Sequence, residues 1–220
     1  MRRGIFLGLV GGLGLLVLLS LGIWQVQRLS WKEGVLATIE SRIAAAPVSL
    51  PDQPTEEQDR YLSVQVTGEL LPHELHVFWV TGGQGAGYRV ISPLVTETGR
   101  RILIDRGYIA SADKGAARAS GPVTLTGNLL WPDEGDWTTP AADEASNILY
   151  ARDLAYLATR LDTEPLLLVV REGETGAKAL PVSTDGIPNN HLQYAITWFS
   201  LALIWAAMTL AFILRTRSKP

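Results

Sequence analysis

The 220-residue chain contains no cysteine, which excludes disulfides, thiolate metal centres and a cysteine nucleophile. Histidine is limited to His73, His76 and His191, and methionine to Met1 and Met208, so side chains able to hold a transition metal are few. Acidic residues are missing from both ends. All 22 lie between Glu33 and Asp185, while the termini carry only Arg2, Arg3, Arg215, Arg217 and Lys219. With those five set aside, 14 basic residues face 22 acidic ones, and the middle carries about −8. That balance disfavours nucleic acid as a partner.

The familiar catalytic patterns are also incomplete. His73-Glu74-Leu75-His76 is not H-E-x-x-H: its histidines stand three apart at the entry of a strand, point to opposite faces and lack a third ligand. Gly82-Gly83-Gln84-Gly85-Ala86-Gly87 resembles a phosphate loop, yet no Lys-Ser/Thr and no helix follow, so a hairpin is expected. Asp105-Arg106-Gly107-Tyr108 places a charge pair inside a strand, read as a structural salt bridge near a bulge. No Ser-His-Asp or paired-acid arrangement assembles, and no enzymatic activity is expected.

What the chain has in quantity is apolar sequence at both ends. Ile5 to Ile23 is uncharged and follows two arginines; with no small-residue cleavage site after it, an uncleaved signal anchor is expected. Leu192 to Leu214 contains 23 residues without a charge, about 35 Å of helix and enough to cross a bilayer. Basic residues outside both runs put both termini in the cytoplasm. Residues 1–24 then form a first span with a short N-terminus, 25–190 an exported domain, 191–214 a second span and 215–220 a cytoplasmic tail. In a bacterium this would be a multi-pass protein of the inner (plasma) membrane with its middle in the periplasm, and the absence of an Arg- and Ser-rich amphipathic stretch before Ile5 argues against a mitochondrial import form. Gly4, Gly8 and Gly12 form overlapping G-x-x-x-G spacings that predict packing against Ala202, Ala206, Ala207 and Ala211.

Helical periodicity continues from Trp24 to Pro47, placing Trp24, Arg28 and Trp31 on one face. In the second span His191, Trp198 and Trp205 share a face with Ala195 and Ala202 between them, where a flat partner has room. Both sets also suit interfacial anchoring and helix packing. Arg28 and Lys32 are either snorkelling cations or partners for an anionic ligand at the outer surface.

Pro47 to Asp59 reads as a linker. Short β-rich segments follow at 61–70, 75–80, 88–95, 101–109 and 123–130, with alternation in Leu62, Val64, Val66 and in Ile102, Ile104. Asp153 to Leu161 is a helix with Asp153 as cap, and 165–172 returns as a strand. The expected fold is an α+β membrane protein in which two transmembrane helices flank a mainly antiparallel β exported domain, a sheet or small barrel, with one short helix.

Three stretches, LGIWQVQRLSWK (21–32), GYRVISPLV with RRILIDRGYI (87–109) and NNHLQYAITWFSLA (189–202), resemble the Surfeit-locus-one family, membrane proteins that assist biogenesis of haem-copper cytochrome c oxidase. Asp105 and Tyr108 depart from the Asn and Trp common in that family. The resemblance implies a chaperone that binds haem a as cargo and aids its delivery to oxidase subunit I, with His191 as ligand to the haem iron. Trp24, Arg28, Tyr194 and Trp198 are the further cofactor-binding candidates. The implied partners are cytochrome c oxidase subunit I, haem a synthase and the lipid bilayer, with a second copy of the chain left open. The alternative is a haem-independent scaffold that stabilises subunit I through the same helices.

Overall fold

The computed structural model describes residues 2–83 and 85–217, without the side chains of 2–4 and 217, so Gly4 of the expected glycine spacing lies outside the described side chains. The chain divides into two compact units, one made of residues up to Thr38 with those from Thr184 onward, the other of Ile39–Ser183.

Helix α1, Arg2–Ile43, runs unbroken for 42 residues, about 63 Å at the α-helical rise. Helix α4 is His191–Arg217. Both are long and apolar enough to cross a membrane. Their large side chains point outward: Phe6, Leu9 and Leu203 are 66%, 69% and 73% exposed, a surface suited to lipid rather than water. Ser20, Thr197 and Thr216 return their hydroxyls to carbonyls one turn back, which satisfies those donors without solvent.

In the first unit α1 and α4 pack antiparallel along one narrow seam. A Cβ added to Gly11 would fall 2.1 Å from Thr209 Cγ2, one on Gly14 2.6 Å from the Trp205 indole, and one on Gly22 2.7 Å from Phe199. Gly22, Gln25, Ala195 and Ala202 are buried along the same line. The steps Gly11, Gly14, Leu18, Gly22, Gln25 are of three, four, four and three residues and average the 3.5-residue period of coiled-coil packing. The expected glycine face is not the one used: a Cβ on Gly8 or Gly12 meets nothing within 4 Å, and Ala207 and Ala211 are exposed. That face of α1 continues into Leu16, Leu19 and Ile23, too bulky for close approach, whereas the Gly11 face stays narrow as far as Gly22.

The second unit is built on strands β1 (Val48–Ser49), β2 (Ser63–Leu70), β3 (Leu75–Thr81), β4 (Gly85–Thr96), β5 (Arg101–Ala110), β6 (Gly121–Leu130), β7 (Ile148–Leu149) and β8 (Leu167–Glu172). The pairings β2–β6, β6–β8, β8–β5, β5–β4 and β4–β2 close a five-stranded ring, the small barrel, in which only β5–β8 is parallel. The closure is tight at Gly68, where a Cβ would lie 2.2 Å from the Val95 carbonyl oxygen. On the edge away from β5, β4 serves two neighbours, β3 along Gly85–Ile91 and β2 along Leu94–Thr96.

Inside the ring lie Val64, Val66, Leu94, Ile102, Ile104, Leu125, Leu129, Leu168 and Val170. The alternate residues Leu103, Leu167 and Val169 join Leu157, Ala158 and Leu161 of helix α3 (Leu154–Leu161) in a second core. Strands covered on both faces read as continuous apolar runs, as RILI and LLLVV do. Asp153 caps α3, its Oδ1 accepting from the Ala155 and Tyr156 amides at 2.9 and 3.1 Å. The expected linker holds one helical turn, α2 (Glu56–Asp59), capped by Thr55. The last turn of α1 belongs to this unit, within which the Ile43 carbonyl accepts from Asn128 Nδ2 at 3.1 Å and Arg171 Nη1 at 2.6 Å.

Candidate functional site

His191 opens α4 and sits half-buried at the mouth of the apolar segment. Its Nδ1 lies 2.8 Å from Oε1 of Gln25, a residue of α1 only 8% exposed. Nε2 makes no hydrogen bond among the described residues. Gln25 was not singled out from the sequence; the signal was a polar side chain one heptad step beyond Leu18, on the line of the seam.

The face expected to receive a flat partner is largely taken by α1. Ala195 and Ala202 are 3% and 2% exposed, and Trp205 donates its indole N–H to the Gly11 carbonyl at 2.9 Å. Packing of small residues is therefore what this stripe does here, because a 3.5-residue line of small side chains on each helix lets the backbones approach. A macrocycle does not fit between these alanines and α1.

The other candidates lie off the seam. At about 100° per residue, Trp24, Arg28 and Trp31 share one face of α1 turned away from the seam line through Gly22, Gln25 and Leu29, with Arg28 nearest the seam and Trp31 almost opposite it. In the antiparallel α4 the flank that holds Trp205 against Gly14 also carries Tyr194 and Trp198. Trp24 and Tyr194 are 50% and 55% exposed, and Trp198 is half-buried. Arg28 stacks its guanidinium 4.3 Å over the Trp31 ring and has no carboxylate partner among the described residues. The first unit thus offers exposed aromatic side chains, an imidazole whose Nδ1 is held, and a cation stacked on an indole.

The second unit contains two buried ionic clusters. The fully buried Asp105 accepts at Oδ2 from Arg89 Nε at 2.7 Å and Arg152 Nη1 at 3.0 Å, and at Oδ1 from the Gly107 amide at 3.1 Å. Arg152 also binds Glu134, and both guanidinium groups lie on Trp79, at 5.1 and 5.3 Å. Burial pushes the Glu134 carboxyl up, but hydrogen bonds from Arg152 outweigh it and hold it below its usual range.

The neighbouring Arg106 donates to the Thr175 and Ala119 carbonyls at 2.7 Å each and stands 3.8 Å from Glu74. Glu74 is gripped by Arg118 and by His76 Nε2 at 3.0 Å. Burial raises its carboxyl, yet the hydrogen bonds from Arg118 and His76 prevail and bring it to about 2; burial, helped by the like charge of Arg118, pulls Arg106 down against the attraction of Glu74. The bulge expected here is present, with the register slipping so that Val90 faces Gly107 and Ile91 faces Asp105. The pair expected between Asp105 and Arg106 is not: the bulge sends each to its own cluster. His76 is a buried member of the second cluster, with Asn147 Nδ2 donating to its Nδ1 at 3.3 Å.

Fold and site together define an α+β chain with two helices able to cross a bilayer, a small β-barrel encoded between them in the sequence, and a histidine held at the start of the second helix. The chain belongs to the SURF1 family, whose model matches residues 13–203. It is 30% identical to the SURF1-like protein of Rickettsia prowazekii (strain Madrid E), over 86% of this chain and 82% of that protein. It is 28% identical to Surfeit locus protein 1 of Xenopus tropicalis, over 83% of this chain and 67% of that one, and 28% identical to Surfeit locus protein 1 of Homo sapiens, over 83% and 69%.

Proposed function

We propose that this chain is a membrane-bound assembly factor for haem-copper cytochrome c oxidase that holds haem a as cargo and aids its delivery to subunit I. The observation that carries the reading is the His191–Gln25 pair: with Nδ1 at 2.8 Å from an amide oxygen, Nε2 is left as the donor atom an iron porphyrin needs. The donor set fits. The chain has no thiolate and only one histidine beside an apolar span, and an imidazole there suits a farnesylated macrocycle that belongs at the membrane edge.

His191 would hold the iron, Trp24, Tyr194 and Trp198 would flank the ring, and Arg28 would meet a propionate. Haem a would bring the redox-active iron that the oxidase requires; these residues only bind, orient and shield it. The basic ends support a bacterial plasma-membrane protein with both termini cytoplasmic and the barrel in the periplasm.

The seam supports a second reading, a scaffold that stabilises subunit I without haem, since the helix faces already serve protein packing. Purification from haem-a-producing cells separates the two. Wild-type protein is expected to carry a haem a spectrum and His191→Ala to insert normally with most of it lost; wild-type protein that purifies without haem a selects the scaffold, and a full, unshifted spectrum in His191→Ala overturns His191 as the ligand.

A further inference from the structure

We infer that Gln25 is a positioning residue for His191: it selects the Nδ1–H tautomer and thereby keeps Nε2 unprotonated for a metal. The inference deepens the haem reading and rests on it. An amide oxygen only accepts, so at 2.8 Å from Gln25 Oε1 the ring nitrogen Nδ1 must bring the proton. Neutral imidazole carries one N–H, and the lone pair then lies on Nε2.

The bond is set up by the fold rather than by chance on a surface. Gln25 is 8% exposed, and its neighbours on the seam, Gly22 and Ala195, are also buried. Close approach of the helices at Gly22 and Phe199 brings a side chain of the first helix onto the first residue of the last, 166 positions away in sequence. Packing fixes the amide, the amide fixes the ring, and the ring presents one nitrogen. An acceptor on the far nitrogen also makes the ligating one more electron-rich, as carboxylates and carbonyls do behind metal-bound histidines.

The test begins without haem. Apo-protein labelled with 15N-histidine is read at a pH where the imidazole is neutral, with the His191 resonances identified by their loss in His191→Ala. The expected result is Nδ1–H for wild type, Nε2–H for the near-isosteric Gln25→Met, and Nδ1–H again for Gln25→Glu, which keeps an acceptor in place. Nε2–H in the wild type, or Nδ1–H persisting in Gln25→Met, overturns the inference.

The second arm uses haem a. Gln25→Met should retain it about tenfold less tightly and shift its reduced spectrum, with Gln25→Glu close to wild type in affinity. Unchanged affinity and spectrum in Gln25→Met, while His191→Ala still loses haem, overturns the positioning role and leaves the haem reading standing. Retention of haem by His191→Ala with an unshifted spectrum overturns His191 as the iron ligand and with it the positioning role, whatever the tautomer.

Discussion

Asp105 and Arg106 are consecutive and both buried, yet Asp105 is held by Arg89 and Arg152 whereas Arg106 faces Glu74, Thr175 and Ala119. The bulge at Val90/Ile91 separates them. One strand residue therefore anchors β4 and the segment before α3, and the next anchors the loops at 119 and 175. Charges at these two positions cross-link the outer layers of the barrel unit.

Asp105→Asn would leave Arg89 and Arg152 buried with one carboxylate, Glu134, between them. Removing one partner of a buried ionic group costs about 3 to 5 kcal/mol, enough to unfold much of a unit this size. Chemical denaturation of the full chain in detergent, followed by protease resistance of the 39–183 region, is expected to show that loss with α1 and α4 still inserted.

Acid stability follows from Glu74. Its carboxyl sits at about 2 in the folded chain against an ordinary 4.5, so the stabilisation is complete above about 4.5 and is lost as pH falls from there through about 2. The Tm should decline over that window. Glu74→Gln should lower Tm at neutral pH, because Arg118 and Arg106 lose their charge partner, and should flatten the decline below pH 4.5. A decline of equal steepness in the variant would place the acid-sensitive group elsewhere.

The seam gives a paired test. Gly11→Val would drive a branched side chain onto Thr209, whose Cγ2 lies 2.1 Å from the added Cβ, while Gly12→Val adds one where nothing lies within 4 Å. Overpacking of this kind costs about 1 to 3 kcal/mol. Thermal unfolding in detergent should therefore separate the neighbours, with Gly11→Val less stable than wild type and Gly12→Val indistinguishable from it.

Local signals in the sequence led to correct elements, and signals that depend on a distant partner did not. Asp153 before an apolar run fixes the start of α3, and the alternation at Ile102 and Ile104 orients β5, because both are decided within a few residues. β1 and β7 have two residues each, too few to show a period, and exist only because β2 and β3 offer free edges. β8 reads as a strand, but nothing in LLLVV tells that it runs parallel to β5 and antiparallel to β6.

The two glycine sets of α1 show the same limit. Gly4-Gly8-Gly12 and Gly11-Gly14-Gly22 both offer small faces, and the choice falls to what α4 brings opposite: Thr209, Trp205 and Phe199. Likewise His191 stands out by its place at the head of a span, but Gln25 becomes visible only when the antiparallel register sets it against that ring.

Arg28 gives the most direct test of the candidate face. Its guanidinium lies over Trp31 at 4.3 Å, which holds the planar group while leaving its edge donors for an anion. A propionate bonded there at an exposed site should contribute about 0.5 to 1.5 kcal/mol, roughly two- to tenfold in affinity. Arg28→Ala should lower haem a retention by that factor, and Arg28→Lys should recover most of it as a point charge without the bidentate fit. Trp31→Ala should fall between them, since the cation remains but its platform is gone. Haem a with both propionates esterified removes the anion from the other side, and wild type and Arg28→Ala should then bind it equally. If Arg28→Ala retains native haem a as well as wild type does, Arg28 acts as an interfacial cation and the propionate contact is wrong.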